Sequence, residues 1–135
     1  MAHRIRFDHI GFTVSDLERS KAFYTKALAP LGIGLVMEVT AEMTGGHAHA
    51  GYGHDGKPYF WLGNGDGALR GKLHVAFTAD NRAQVDAFHT AALAAGGHDN
   101  GAPGLRPIYH DAYYGAFVLD PDGHNIEAVC QLPED

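Results

Sequence analysis

Hydrophobic and polar positions alternate in a short run near the start of the chain. The apolar members are Ile10, Phe12 and Val14, and the residues between them are His9, Gly11 and Thr13. This alternation predicts a strand with one apolar face, and it puts His9 on the opposite face. Ser15 to Glu18 has the pattern of a capping box, so we expect a helix from there to about Leu28.

The same pattern recurs 65 residues later. Residues 9–33 align without a gap with residues 74–98, and the matches include His9 with His74 and Phe12 with Phe77. We therefore expect one domain, 1–135, made of two pseudo-symmetric βαβββ modules, 1–65 and 66–135. The second helix is expected to begin at Asp80 or Asn81 and to end at Gly96 and Gly97.

The rest of each module has the composition of short strands and turns. We expect the remaining strands over 34–40, 58–62, 107–110, 115–119 and 125–131. The connection "TGGHAHAGYGHDG", residues 44–56, is rich in glycine and histidine and is interpreted as a flexible lid. Together these elements predict an α+β fold.

Charge and composition narrow the possible partners and compartment. Sixteen acidic residues against ten basic ones give a formal charge of −6, and no Lys/Arg cluster is present. This balance argues against nucleic acid or an anionic membrane as a partner. Cys130 is the single cysteine and falls on an apolar strand position, so we expect a buried structural thiol. With no membrane-length apolar run, a cytoplasmic protein is expected.

Strand parity predicts a metal site from three residues of the two modules. His9 and His74 occupy equivalent positions on polar strand faces, and Glu127 faces away from the apolar side of "NIEAVCQ". A carboxylate among apolar neighbours needs a cation. Two imidazoles and one carboxylate suit a divalent metal such as Fe(II), Zn, Ni, Mn or Co. A rival histidine cluster consists of His47, His49 and His54.

Three motifs resemble the vicinal oxygen chelate superfamily: "DHIGFTVSDLERSKAFYTKAL", "HVAF" and "DPDGHNIEAV". This superfamily includes glyoxalase I, extradiol dioxygenases, fosfomycin-modifying enzymes and bleomycin-resistance proteins. The resemblance implies that the two modules form a curved mixed sheet with a cup-like cavity, and that His9, His74 and Glu127 bind the metal. Aligning the turns "HDG" and "PDG" puts Phe60 at the fourth ligand position of glyoxalase I. Phe60 cannot bind metal, so the three-ligand set is more similar to that of the dioxygenases.

Aromatic and polar residues around these positions are candidates for substrate contact. Phe60 and Trp61 come from "KPYFWLGNG", and Arg106 and Tyr114 come from "LRPIYHDAYYG"; all four are expected to bind substrate, although core packing is an alternative for the aromatic ones. In the same segment His110 is expected to be a general base or hydrogen-bond donor, and Tyr113 to orient substrate. The histidines expected to be exposed are His3, His98 and His124.

Two classes of function remain open at this point. The first is a metal-dependent enzyme that binds two neighbouring oxygens of a small molecule and catalyses glyoxalase-type isomerisation or lyase chemistry, or ring-cleaving oxygenation. The second is a metal-free small-molecule-binding or resistance protein. A homodimer is expected from the resemblance, and His9 and His74 could meet within one chain or across two.

Overall fold

Residues 10–64 form one mixed four-stranded sheet in the computed structural model, which describes residues 7–134. The elements are β1 (Ile10–Val14), α1 (Leu17–Leu28), a 3₁₀ turn (Ala29–Leu31), β2 (Gly34–Val39), α2 (Ala41–Thr44), β3 (His49–His54) and β4 (Lys57–Asn64). The strand order is β1-β4-β3-β2, with β1 parallel to β4 and the other pairs antiparallel. Of the histidines, His3 lies outside the described residues.

Residues 74–130 form a second sheet of the same design. Its elements are β5 (His74–Thr78), α3 (Arg82–Ala94), β6 (His98–Leu105), β7 (Tyr114–Leu119) and β8 (Asn125–Cys130). The order is β5-β8-β7-β6, and β5 is parallel to β8. The predicted α+β fold is confirmed, but within residues 7–134 the strands make two separate sheets. No helix in that range is long and apolar enough to span a membrane.

Several local boundaries differ from the sequence expectations. The expected lid contains β3, which forms a hairpin with β4. Residues 107–109 form a turn instead of the expected strand over 107–110, and the strand before the last hairpin is 98–105. The N-cap of α1 is Asp16, whose carboxylate accepts from the backbone N–H of Arg19 at 3.1 Å. Ser15 instead donates its hydroxyl to Asp122 in the second module.

Both sheets bury their apolar faces in one shared core. Tyr24 of α1 lies 5.0 Å from the ring of Phe60, and Phe60 lies 5.1 Å from the ring of Phe77 on β5. The two long helices, α1 and α3, also pack against each other. Because side chains alternate between the faces of a strand, the faces that carry His9 and His74 are both directed away from this core.

The turn before β8 binds α1 through a buried hydrogen bond between Asp120 and Tyr24. The buried carboxylate of Asp120 accepts backbone hydrogen bonds from Asp122 and His124, each at 2.9 Å, and accepts the hydroxyl of Tyr24 as well. Burial, followed by the Asp120 charge, raises the pKa of Tyr24 well above its usual value. A carboxylate with three donors is well satisfied, so it can be buried between the modules.

His124 is buried, in contrast to the exposure expected after a turn glycine. Its ring makes an edge contact with Phe12, with 5.5 Å between the ring centroids. Neither ring nitrogen has a hydrogen-bond partner within residues 7–134. The imidazole therefore contributes packing between the two modules. Cys130 is buried, in line with the expectation of a structural thiol.

The contact between Tyr24 and Asp120 predicts a loss of stability at alkaline pH. A tyrosine whose pKa is raised by folding stabilises the protein below the unfolded pKa, near 10, and this stabilisation is lost as pH rises toward the folded pKa. Tyr24→Phe should lower the free energy of unfolding at pH 7 by about 1–3 kcal/mol, because Asp120 loses a donor. It should also flatten the decline above pH 10.

Urea unfolding of both proteins between pH 7 and 11, followed by circular dichroism, measures the two effects. The control is Tyr109→Phe, because Tyr109 is exposed and should change neither quantity. Equal slopes for wild type and Tyr24→Phe above pH 10 would contradict the assignment.

Candidate functional site

His74 and Glu127 meet on the outward face of the second sheet. Nε2 of His74 lies 2.7 Å from Oε1 of Glu127. The Glu127 side chain is 1% exposed, whereas that of His74 is 52% exposed. The parallel register pairs Ala76 with Glu127, which puts the carboxylate on the same face as His74. Two of the three predicted metal ligands are therefore preassembled.

Tyr113 holds the second oxygen of the same carboxylate. Its hydroxyl donates to Oε2 of Glu127. Burial and then this hydrogen bond raise the pKa of Tyr113 above its usual range. Gly115 makes the close approach possible, because a Cβ there would lie 3.2 Å from both Oε2 of Glu127 and the Tyr113 ring. Glu127 thus has a partner on each oxygen, and its orientation is fixed.

His9, the third predicted ligand, lies on the outward face of the first sheet. Its Nδ1 is 2.7 Å from Asp8, its side chain is 59% exposed, and Asp8 also binds Lys57 at 2.7 Å. Nothing joins His9 to His74 and Glu127: within residues 7–134, no three His, Cys, Asp or Glu side chains are grouped to hold a metal ion. One chain therefore presents the predicted ligand set in two parts.

A cleft of about 470 Å³ lies beside His9. Its lining residues are His9, Gly11, Phe12, Thr13, His49, Trp61, Leu62 and Gly63. The lining combines two imidazoles, one indole and several small or apolar side chains. Such a surface suits a small molecule with an apolar or planar part.

The strand register corrects the expected counterpart of Glu127. Gly11 corresponds to Ala76 by the repeat; β1 pairs Gly11 with Trp61, as β5 pairs Ala76 with Glu127. Trp61 therefore occupies the equivalent position. Phe60 is 1% exposed in the core and does not line the cleft. The first module therefore still has a residue that cannot bind metal at the position equivalent to Glu127, but this residue is Trp61 and not Phe60.

Glycines let the large side chains of the first sheet lie flat on it. A Cβ at Gly51 would come within 2.8 Å of the Trp61 indole, and one at Gly63 would come within 2.8 Å of the His49 imidazole. The sequence alone predicts for His49 only a place in a lid or in a rival metal cluster. Gly63 of β4, which faces His49, is the sequence signal that could place this histidine on the cleft surface.

The rival cluster of three histidines does not assemble. His47 lies in the segment before β3, and His54 ends that strand with its Nδ1 2.8 Å from the hydroxyl of Tyr59. His49 lies at the opposite end of β3 from His54. An extended strand separates the last two by its full length, so they cannot share one ion.

The remaining candidates divide between the two faces of the second sheet. Arg106 lies over the ring of Phe117, on the face of Glu127. His110 is exposed, and its Nδ1 accepts from the backbone N–H of Ala112 at 3.1 Å. Tyr114 donates to Asp86 on α3 at 2.7 Å, which puts its hydroxyl on the helix side, and its expected contact with substrate stays a prediction.

Comparison with known proteins gives one family and a consistent set of folds. The model of the Glyoxalase/Bleomycin resistance protein/Dioxygenase superfamily matches residues 6–128. A glyoxalase/bleomycin resistance protein from Albidiferax ferrireducens is 32% identical, with a TM-score of 0.75 over 96% of this chain and 100% of that one. No protein of curated function matches this chain.

Two solved structures of lower identity have the same fold. Glyoxalase I from Zea mays is 21% identical, with a TM-score of 0.66 over 96% of this chain and 45% of that one. This chain thus spans about half of the maize enzyme. A mutant of the fosfomycin resistance protein from Listeria monocytogenes, solved with Mn(II) and a dihydroxypropylphosphonic acid, is 18% identical, with a TM-score of 0.66 over 96% and 93%.

Trp61 provides a direct test of the packing on the cleft, since it is the single tryptophan. Gly51→Ala should push the indole off the sheet, lower the free energy of unfolding by about 1–3 kcal/mol and shift the tryptophan emission to longer wavelength. Gly46→Ala is the matched control, because no heavy atom lies within 4 Å of the added Cβ. Unchanged emission in Gly51→Ala would disprove the packing.

Proposed function

This chain belongs to the Glyoxalase/Bleomycin resistance protein/Dioxygenase superfamily, and we propose that it is a divalent-metal-dependent enzyme acting on a small molecule with two adjacent oxygens. The proposed ligands are His9, His74 and Glu127. The observation that carries the proposal is the preassembled pair of His74 and the buried Glu127, 2.7 Å apart.

The donor chemistry of this pair fits a divalent metal. A carboxylate removed from water is costly unless a cation or several donors compensate it. Glu127 has one tyrosine donor and one imidazole, and the imidazole is half-exposed and can turn a nitrogen toward an ion. When bound, the metal supplies Lewis-acid polarisation of the substrate oxygens.

A second copy of the chain is proposed to complete the ligand set. β1 and β5 are edge strands, each paired on one side within residues 7–134, and their histidine faces are both directed away from the core. In a twofold dimer, His9 of one protomer can approach the partner subunit's His74 and Glu127, and the same contact recurs at the symmetry-related site. Such a dimer also pairs strand edges that otherwise stay open.

Exposed apolar side chains next to the open faces support the same arrangement. Ile10 is 43% exposed on the β1 edge. Ile108 and Tyr109 are 84% and 63% exposed in the turn before β7, where the tilted rings of Tyr109 and Tyr113 have their centroids 5.1 Å apart. Covering these groups with a partner surface would remove apolar area from water close to both ligand faces.

The other polar groups are proposed to position substrate and move protons. Tyr113 fixes the orientation of Glu127 through its hydroxyl. His110 has Nδ1 engaged by the Ala112 N–H, so Nε2 is the atom available to accept or donate a proton. Trp61 and His49 form the substrate-contacting surface of the opposite face. The reaction is either glyoxalase-type isomerisation or lyase chemistry, or ring-cleaving oxygenation, for which three ligands are sufficient.

A metal-free binding protein is the second candidate, and Trp61 favours it. An indole lies where the second module has its carboxylate, and the cleft beside it measures about 470 Å³. An aromatic cleft of this size can hold a small molecule without metal. This alternative requires that ligand affinity be the same with and without metal.

Subunit complementation tests the shared metal site. His9→Ala and Glu127→Ala homodimers should each lose stoichiometric metal binding. When the two variants are unfolded, mixed and refolded together, the heterodimer regains one intact site from the wild-type His9 of one chain and the wild-type His74 and Glu127 of the other. Elemental analysis and calorimetric titration with Ni(II), Zn(II) or Fe(II) measure the recovered stoichiometry.

The matched control is a mixture of His9→Ala with His9→Ala,Glu127→Ala, in which every site lacks its His9. Failure of the first mixture to regain metal, with wild-type protein fully loaded, would contradict the shared site. Wild-type protein that takes up no stoichiometric metal after anaerobic reconstitution would contradict the metalloenzyme and favour the metal-free binder.

Tyr113 is proposed as a positioning residue, so its removal should act on the metal. Tyr113→Phe keeps the ring and removes the hydroxyl that donates to Glu127, and it should weaken metal affinity about 10- to 100-fold. Tyr114→Phe is the control, because its hydroxyl binds Asp86 on the helix side. Competition with a chelator gives the affinities, and equal values for the two variants would disprove the role of Tyr113.

A further inference from the structure

The positively charged side chain of Arg106 lies on the same face of the second sheet as His74 and Glu127. Its guanidinium lies 5.4 Å from the centre of the Phe117 ring. Phe117 is the β7 residue paired with Glu127, and its ring lies 6.1 Å from the ring of His74. One aromatic ring thus has both the guanidinium and the imidazole as neighbours, so the positive charge lies on the same face of the sheet as the proposed metal ligands.

Glycines in β6 let the Arg106 guanidinium pack closely against the strand backbone. Nη2 donates to the carbonyl oxygen of Ala102 at 2.7 Å. A Cβ at Gly101 would lie 3.3 Å from Nη2, and one at Gly104 would lie 3.1 Å from Nη1. The strand register is irregular at both glycines, which lets the backbone approach the side chain. Arg106 is therefore held in place by backbone and ring contacts.

The guanidinium has no acidic partner in the described part of the chain. Arg19, Lys21, Lys57 and Arg82 each lie within 4.0 Å of a carboxylate, but no such carboxylate lies near Arg106 among residues 7–134. A guanidinium has five N–H donors, and here one Nη2 donor is engaged by Ala102. Its remaining donors are free to bind two oxygens of a planar or tetrahedral anion.

We propose that Arg106 selects substrates that carry a carboxylate in addition to the two adjacent oxygens. This inference rests on the proposed function, because the adjacent oxygens are those expected at His74 and Glu127. The ring of Phe117 then forms the apolar surface of the site between Arg106 and the pair of His74 and Glu127. The substrate class is a compact anionic molecule with an apolar or planar middle.

Matched probes separate the anion contact from the metal contact. Catechol has two adjacent oxygens, while 2,3-dihydroxybenzoate and 3,4-dihydroxybenzoate add a carboxylate at two distances. Wild-type protein should bind at least one of the acids about 10- to 100-fold more tightly than catechol, the range expected of a charge-assisted hydrogen bond. Arg106→Gln should bind catechol as wild type does and lose the preference for the acid.

Arg82→Gln is the matched control. Arg82 also lies over a tyrosine ring, Tyr114, at 5.1 Å, but on the helix side and paired with Glu134. This variant should keep the preference for the acid. A purely structural role for Arg106 would lower stability and weaken all three probes alike, and would overturn the inference.

Calorimetric titrations of metal-loaded and metal-free protein distinguish failure of this inference from failure of the proposed function. If metal strengthens all three probes equally and no acid is preferred, the metal site stands and the role of Arg106 is disproved. If an acid is preferred through Arg106 but metal has no effect, the anion subsite stands and the metal-dependent function is disproved. Absence of binding by all three probes in both states would overturn both.

Discussion

The shared core between the two sheets determines where every candidate group can lie. Each sheet has one apolar face, and both faces are buried in the same core around Phe60, Phe77 and Tyr24. Because alternate strand residues point to opposite faces, burying Phe60 turns Trp61 outward, and burying Phe77 turns Ala76 and its paired Glu127 outward. A one-residue slip of either strand would exchange core and site residues.

This constraint also explains why the repeat does not bring its histidines together in one chain. Two equivalent strands could converge on an axis if their sheets joined edge to edge. Here the first sheet instead packs on α1 and the second on α3, the two helices pack against each other, and the buried turn at Asp120 is bound to Tyr24 of α1. The polar faces are consequently directed outward, which is why the proposed metal site takes His9 from a second molecule.

Sequence patterns recovered the features that depend on local periodicity. The polar parity of His9, His74 and Glu127 follows from period-two alternation, and the structure has them on outward faces. The assignment of Phe60 instead of Trp61 came from aligning two turns as though their hairpins were equal. The irregular register between Tyr52 and Gly53 in β3 is the kind of feature that such an alignment cannot contain.

Other differences arose because tertiary contacts override local preference. The glycines of β3 favour a loop in the sequence, but the strand needs Gly51 and Gly53 for close packing. A Cβ at Gly53 would lie 1.8 Å from the carbonyl oxygen of Lys57. Glycine thus indicated close packing rather than a mobile loop. Ser15 is a residue type that commonly caps helices, but its hydroxyl binds Asp122 of the second module. Asp16 caps α1 instead.

Divergence between the two modules gives the proposed site its chemical asymmetry. Glu127 in the second module is matched by Trp61 in the first, and Gly115 beneath Glu127 has a functional parallel in Gly51 beneath Trp61. One face therefore carries a carboxylate held by Tyr113 and an arginine, and the other carries an indole and two histidines. In the proposed dimer the two unlike faces are joined, so that charged groups would lie on one side of a substrate and aromatic surface on the other.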